Sequence, residues 1–462
     1  MILQRFEVPG LAHYSYLIAS EGQALVIDPQ RDVAVYQEFA KSKGVTIAHI
    51  LETHIHADYT SGAPALAEVT GAKLWLSAYD KNEQFQYRMP HASLADGDEV
   101  LFGKLRIVAI PTPGHTPEHL SFLLFEQYGC GQPLGLFSGD FLLIGSLGRP
   151  DLLGEAEKQS LAGKLFESAQ TRIASLPDGT IVYPAHGAGS LCGVGISERA
   201  ESTIGYERHC NVFMATTSRE EFISRILGSV PQFPEYYKRM KALNSEGAPA
   251  RKELPGQEPF TASAYRTEAG KASSIILDVR SPEAFGGAHI AGSVNIGAGP
   301  NLSLWAGWVL PYDADILLVG DSSSNLEEVR WSLARVGHDR VAGFLQGGFN
   351  VWVAAGLEQA HLLQLSVLEL SEAASAGGTV LDVRSPAEWK AGHIASAIHI
   401  PLGDLPTRLK ELPRSQRIHV ICGSGYRSSI ACSLLQRAGF PEIRNTLGGM
   451  TAWYAQGLQV VK

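Results

Sequence analysis

The second half of the chain repeats itself, and few architectures accommodate that. Ile275-Ile276-Leu277-Asp278-Val279-Arg280-Ser281-Pro282 recurs as Thr379-Val380-Leu381-Asp382-Val383-Arg384-Ser385-Pro386. Ala288-His289-Ile290 recurs as Gly392-His393-Ile394, and Gly347-Gly348 with Trp352 and Gly356 recurs as Gly448-Gly449 with Trp453 and Gly457. Each copy alternates short apolar runs with stretches of helical period, so two small α/β domains with largely parallel sheets are expected, over residues 261–361 and 362–462.

The copies differ where chemistry would sit. In the second, the apolar run Ile418-His419-Val420-Ile421 leads into Cys422-Gly423-Ser424-Gly425-Tyr426-Arg427, with a helix expected from Ser428 to about Gly439. A thiol at the mouth of a glycine-rich loop, facing backbone N–H groups, a helix N-terminus and an arginine, is built as a nucleophile that holds an anion. Counting back from the paired glycines, Cys422 falls on Asp321 of the first copy, in Gly320-Asp321-Ser322-Ser323-Ser324-Asn325-Leu326, which has neither cysteine nor arginine. An aspartate carries no covalent sulfur. What both copies keep (Asp278 and Asp382, His289 and His393, Trp352 and Trp453) is therefore expected to serve the fold.

Both copies resemble rhodanese domains. Four residues separate Cys422 from Arg427, one fewer than in the C-x5-R loop of cysteine phosphatases, which tightens the cradle toward sulfur. The resemblance implies a persulfide on Cys422, cradled by Gly423, Ser424, Gly425 and Tyr426, with Arg427 holding anionic ends. It implies that the first copy is a pseudo-rhodanese that packs, spaces or binds.

In the first half, histidines gather behind apolar runs. Ile47 to Leu51 delivers Thr53-His54-Ile55-His56-Ala57-Asp58-Tyr59; Leu105 to Ile110 leads to Thr112-Pro113-Gly114-His115-Thr116-Pro117. Phe137-Ser138-Gly139-Asp140 and Ile181-Val182-Tyr183-Pro184-Ala185-His186-Gly187 repeat the pattern. A rigid sheet presenting imidazoles and carboxylates on its loops is the arrangement of a metal site. Residues 2 to 28 read as antiparallel strands with a turn at Glu21-Gly22, and Asp32 to Lys43 as a helix. A helix opened by Ser218, with Glu221 three residues on as a capping box, and a short helix around Pro234 to Leu243 follow. The breaker-rich stretch 244–260 reads as a linker closing a first domain of residues 1–243.

This set of segments resembles the metallo-β-lactamase fold, which implies an αββα sandwich ahead of the two α/β rhodanese domains. In dinuclear members the first motif ends in D-H; here the second position is Tyr59, a poor ligand for zinc at neutral pH. The resemblance thus implies one metal on His54, His115 and Asp140, the two-imidazole, one-carboxylate set that suits Fe(II) and O2. His56 is a third ligand or a partner of the ligands, Asp58 and His186 keep a second ion open, and Cys192 is either a persulfide carrier or a small residue in a turn. Cys130, Cys210 and Cys432 are expected in the core, and His13, His49 and His91 are expected to be structural.

With Leu147-Gly148-Arg149-Pro150-Asp151, the first half resembles persulfide dioxygenases, and the whole order of parts resembles bacterial persulfide dioxygenase and sulfurtransferase fusions. The resemblance implies oxidation of a low-molecular-weight persulfide by O2 to sulfite and thiol at one Fe(II), coupled to sulfur transfer through Cys422 that forms or uses thiosulfate. Gly187 departs from the run that helps form the family's glutathione pocket, so glutathione, cysteine and coenzyme A all stay open as the carrier thiol. Two other classes remain: a zinc thioesterase of the glyoxalase II kind with a rhodanese tail, and a non-enzymatic sulfur relay in which metal braces the fold.

Composition narrows the partners. A net charge of -9 argues against nucleic acid and a membrane surface, and no apolar run is long enough to span a bilayer. Five cysteines without framework spacing fit reduced thiols and a cytoplasmic setting. Self-association stays open.

Overall fold

The computed structural model describes residues 1–249, 253–322 and 324–462. It divides into two compact units, residues 1–252 and, apart from 334–337, residues 253–462.

The first unit is built on two six-stranded sheets. One runs Ile2–Val8, His13–Ser20, Gln23–Ile27, Thr46–Leu51, Lys73–Ser77, Ala92–Leu94; the other runs Ser202–Thr203, Ile181–Pro184, Gly135–Gly139, Leu120–Glu126, Leu105–Pro111, Glu99–Phe102. Side chains alternate between faces along a strand, and that alternation builds the layers. Tyr16 and Ile18 join Phe122, Leu124 and Phe137 between the sheets. Their neighbours Leu17 and Ala19 pack with Tyr36, Ala40 and Leu66 of the helices Ala34–Lys43 and Ala63–Thr70. Leu123 and Phe125 face the other way, onto Leu165, Phe222 and Ile226 of the helices Lys158–Ser168 and Arg219–Ser229. The result is the αββα sandwich. The hairpin joining His13–Ser20 to Gln23–Ile27 turns where expected, with Glu21 and Gly22 both at positive φ (49° and 79°).

The last helix of this unit, Tyr236–Glu246, extends past the expected boundary at 243, and Asn244 and Ser245 are buried in it. Of the stretch read as a linker, residues 250–252 lie outside the described residues. Ser218 caps its helix by accepting from the Glu221 N–H. Cys432 is buried, but Cys130 and Cys210 are exposed, contrary to expectation. Cys130 sits between Gly129 and Gly131 in the turn that joins two strands, and Cys210 ends a short helix, so neither has a layer to enter.

The second unit carries two five-stranded parallel sheets of the same order. The first is Pro259–Phe260, Val341–Leu345, Asp315–Val319, Ser274–Asp278, Val294–Asn295; the second is Leu363–Leu365, Ile443–Thr446, Ile418–Ile421, Thr379–Asp382, Ala397–His399. The shared motifs are structural. Arg280 grips Asp278 and donates to Ala288 O at 2.8 Å, and Arg384 grips Asp382 and donates to Gly392 O at 2.8 Å. Trp352 and Trp453 each donate from the indole to a carbonyl six residues on, closing their domains.

Candidate metal centre and sulfur loop

Three strand ends converge. His54 follows Thr46–Leu51, His115 follows Leu105–Pro111 and Asp140 follows Gly135–Gly139; all three are fully buried. His54 Nε2 and His115 Nε2 lie 3.8 and 3.4 Å from Asp140 Oδ2, and none of these atoms has a hydrogen-bond partner. Buried polar atoms are almost always satisfied, so three orphans aimed at one point mark a cation site. Backbone freedom is required there: a Cβ on Gly139 (φ 57°) would lie 2.5 Å from His119 Nε2, and one on Gly148 1.9 Å from Asp140 O.

Hydrogen bonds set the tautomers. Thr53 gives its hydroxyl proton to Asp28 at 2.9 Å, so its oxygen accepts from His54 Nδ1 at 2.9 Å and the lone pair is left on Nε2. His115 Nδ1 donates to Arg149 O at 2.9 Å, with the same effect. Burial keeps His54 well below the ordinary imidazole range and His115 at about 4, so both are neutral ligands in waiting. Burial opposes it, yet His186 holds the Asp140 carboxyl well below the usual range.

A second buried group, Asp58, His186 and Cys192, lies alongside. His186 is held at both nitrogens, by Asp140 Oδ1 at 2.5 Å and Asp58 Oδ2 at 2.8 Å. Burial pushes the Cys192 thiol up to about 12. His56 belongs to neither group: its Nε2 is held by Asp28 Oδ1 at 3.2 Å. Tyr59 turns its hydroxyl to Asp28 O, 3.3 Å away, and packs its ring on His13 with centroids 3.9 Å apart.

Several supporting residues escaped the sequence reading. Asp28, at φ 51° behind its strand, fixes Thr53 and His56; a carboxylate closing an apolar run was the available signal. His119, four after His115, stacks on His54 at 5.0 Å and is tied to Thr112. Lys241 donates to Ile55 O, and Asn244 donates to the carbonyls of His56 and Tyr59, so the last helix of the unit pins the ligand loop. No local pattern announces that. Of the three histidines read as structural, His49 accepts from the Trp75 indole and His91 meets Met89 O. His13 instead lies beside His186, buried with Nε2 unpartnered.

In the second unit Cys422 ends Ile418–Ile421 and is buried. Gly425, at φ 107°, caps the next helix, which begins at Tyr426, two residues earlier than expected. Its N–H donates to Cys422 Sγ at 3.1 Å, and Ser428 Oγ lies 3.4 Å from the same sulfur. Arg427 is engaged elsewhere: its guanidinium grips Glu388 through both terminal nitrogens, at 2.7 and 2.6 Å. Although burial raises it, that pair and Ser385 hold the Glu388 carboxyl at about 2.

The metallo-beta-lactamase superfamily model matches residues 8–186, and the rhodanese-like domain model matches 261–355 and 366–456. The chain is 34% identical to a hydroxyacylglutathione hydrolase of Francisella philomiragia over 176 residues, 38% of this chain and 63% of that one. It is 30% identical to the mitochondrial persulfide dioxygenase ETHE1 of Mus musculus over 227 residues, 48% of this chain and 79% of that one. A solved metallo-β-lactamase structure from Staphylococcus aureus superposes with a TM-score of 0.68 at 34% identity, covering 75% of this chain and 98% of that one. That coverage exceeds what the first unit alone provides. The chain therefore belongs to the metallo-β-lactamase superfamily, with two rhodanese-like domains following its metal-site domain.

Proposed function

We propose that the first unit is a single-iron persulfide dioxygenase and that the rhodanese repeat carrying Cys422 is its sulfurtransferase partner. The observation that carries this reading is the trio of orphaned atoms, His54 Nε2, His115 Nε2 and Asp140 Oδ2, in a chain that also bears a sulfur loop. Two neutral imidazoles and one carboxylate occupy one face of an ion and leave the others free. A ferrous ion held there would offer open positions for O2 and a persulfide sulfur, with the electrons that O2 takes coming from the sulfane sulfur itself.

The chain's own residues orient and exclude. Asp28 and Thr53 hold His54, Arg149 O holds His115, and His186 occupies Asp140 Oδ1, which leaves Oδ2 as the atom that would hold the ion. Tyr59, whose hydroxyl turns to Asp28 O, and His186 disfavour a second ion, because a metal on His186 Nε2 must displace its contact with Asp58. Overall, R-S-SH, O2 and water give R-SH, sulfite and two protons. The Cys422 thiolate takes the outer sulfur of a persulfide or of thiosulfate, releasing thiolate or sulfite, and returns it to an acceptor.

A zinc thioesterase is the second reading. The Asp58, His186 and Cys192 group favours it, and hydroxyacylglutathione hydrolases are matched at the higher identity, so the comparisons taken alone lean that way. Metal analysis of anaerobically purified protein, with oxygen uptake on a low-molecular-weight persulfide, separates the two. About one iron per chain with rapid uptake supports the dioxygenase; two zinc ions, no uptake and hydrolysis of a glutathione thiolester replace it. His115→Ala is expected to lose metal and oxygen uptake while Cys422 still accepts sulfur from thiosulfate. Oxygen uptake surviving in that variant would remove His115 from the ligand set.

A further inference from the structure

We infer that the inactive rhodanese repeat positions the sulfur loop of the active one, with Asn295 as the central positioning residue. The helix Tyr426–Arg437 that follows Cys422 presents Tyr426, Ser429, Ser433 and Arg437, at intervals of three and four, along one face. All four reach the first repeat. Tyr426 donates to Gly297 O at 2.8 Å, Ser429 Oγ to Asn295 Oδ1 at 2.6 Å, and Arg437 to Gly292 O at 2.9 Å, while Ser433 Oγ accepts from the Asn295 N–H at 3.0 Å.

Ser429, Ser433 and Asn295 are fully buried. An apolar stripe would bind the two repeats as well, but it would tolerate sliding; buried hydroxyls and an amide are satisfied in one register only. Asn295 is itself fixed, because its Nδ2 donates to Asp278 O and Arg280 O at 3.0 Å each, on the Asp–Arg turn that both repeats share. The helix start thereby held carries the Gly425 N–H that meets Cys422 Sγ, and Ser428, adjacent to Ser429, meets the same sulfur.

The second repeat shows that this is a device of the first. Asn295 lies opposite Asp278 in register, and the equivalent position opposite Asp382 is His399. That imidazole stacks on Trp389 and bonds Arg384 O within its own domain. A repeat without a nucleophile has put a docking amide at that place.

The inference rests on Cys422 as sulfur carrier, so the test has two readouts on the full-length chain. Steady-state sulfur transfer from thiosulfate to cyanide gives kcat and KM, and iodoacetamide labelling of the Cys422 peptide, followed by mass spectrometry, reports the thiol without requiring turnover. Ser429→Ala and Tyr426→Phe are each expected to lower kcat and the labelling rate about tenfold, the size of one buried hydrogen bond expressed as a rate. KM should stay within about twofold and melting temperature within a few degrees, and Ser429→Thr, which keeps the hydroxyl, should restore most of both rates. Asn295→Leu should show the largest loss, and the milder pair decides the matter if it fails to fold. Wild-type labelling rates in both Ser429→Ala and Tyr426→Phe, or no recovery in Ser429→Thr, would overturn the inference. A wild-type chain inert toward thiosulfate would overturn the sulfur-carrier reading, and the labelling rates would still judge the positioning.

Discussion

The two rhodanese repeats share strand order, a buried Asp–Arg turn, a histidine bonded four residues back and a closing tryptophan, yet only one has a sulfur loop. Their difference is concentrated at three places. By sheet register Cys422 corresponds to Gly320, not to Asp321 as the count from the paired glycines gave, because a bulge in the strand Val341–Leu345 shifts that count by one; Arg427 then corresponds to Asn325, and Glu388, which grips Arg427, to Ala284. The nucleophile, the arginine and the arginine's partner are absent together, while everything that holds the sheet is retained. The lesson is that Arg427 and Glu388 form one unit with the loop, present together in one repeat and absent together from the other.

The largest break in this comparison comes from Cys422→Ser. Sulfur transfer from thiosulfate should fall on the order of a thousandfold or more, toward whatever the first repeat contributes, which is nothing if glycine stands in the nucleophile's place. Oxygen uptake with free persulfide should persist in the same variant. Loss of both activities would mean that the two centres operate as a single catalytic unit, and retained sulfur transfer would move the carrier to another cysteine.

Residues placed by local pattern were legible, and residues placed by partners were not. Strand ends that deliver a histidine or aspartate to a glycine-bearing turn can be read from apolar runs, and so His54, His115 and Asp140 could be grouped from sequence; the repeat exposed both rhodanese sheets in the same way. Asp28, 25 positions before Thr53, and Glu388, 39 before Arg427, act through contacts that no spacing encodes. Arg427 read as a free cation for substrate anions because only its own loop was visible. His56 stayed ambiguous until Asp28 was seen to take one of its nitrogens. The exposed Cys130 and Cys210 defeat the general tendency of free cysteines to be buried, since a hairpin tip and a short helix end have no interior side.

Glu388→Gln is the next test of the comparison, with a smaller effect. Losing the bidentate grip should let Arg427 leave the loop and lower sulfur-transfer kcat about tenfold, while stability, for a pair that solvent still reaches, falls by about 1 kcal/mol or less. The pH dependence has a definite sign. The folded carboxyl sits at about 2 against an ordinary 4.5, so its contribution is fully present above 4.5 and is lost as pH falls toward 2. The melting-temperature gap between wild type and Glu388→Gln should therefore be constant above that range and close below it. A gap that widens on acidification would assign the depressed carboxyl to another group.

The smallest expected effect probes what the repeats have in common. His289 Nδ1 donates to Phe285 O at 2.8 Å and its ring stacks on Phe285 at 3.8 Å; His393 donates to Trp389 O at 3.0 Å and stacks on Trp389 at 3.5 Å. Each also pairs its backbone with the chain that closes its domain, Ala360 or Val461. If these histidines serve the fold, His289→Ala and His393→Ala should each cost about 1–2 kcal/mol in unfolding titrations, with kcat for sulfur transfer unchanged in both. The informative result is an asymmetry. A fall in kcat for His393→Ala alone would show that the active repeat has recruited a residue its inactive twin uses only for packing, and the line between fold and chemistry would have to be redrawn through His393.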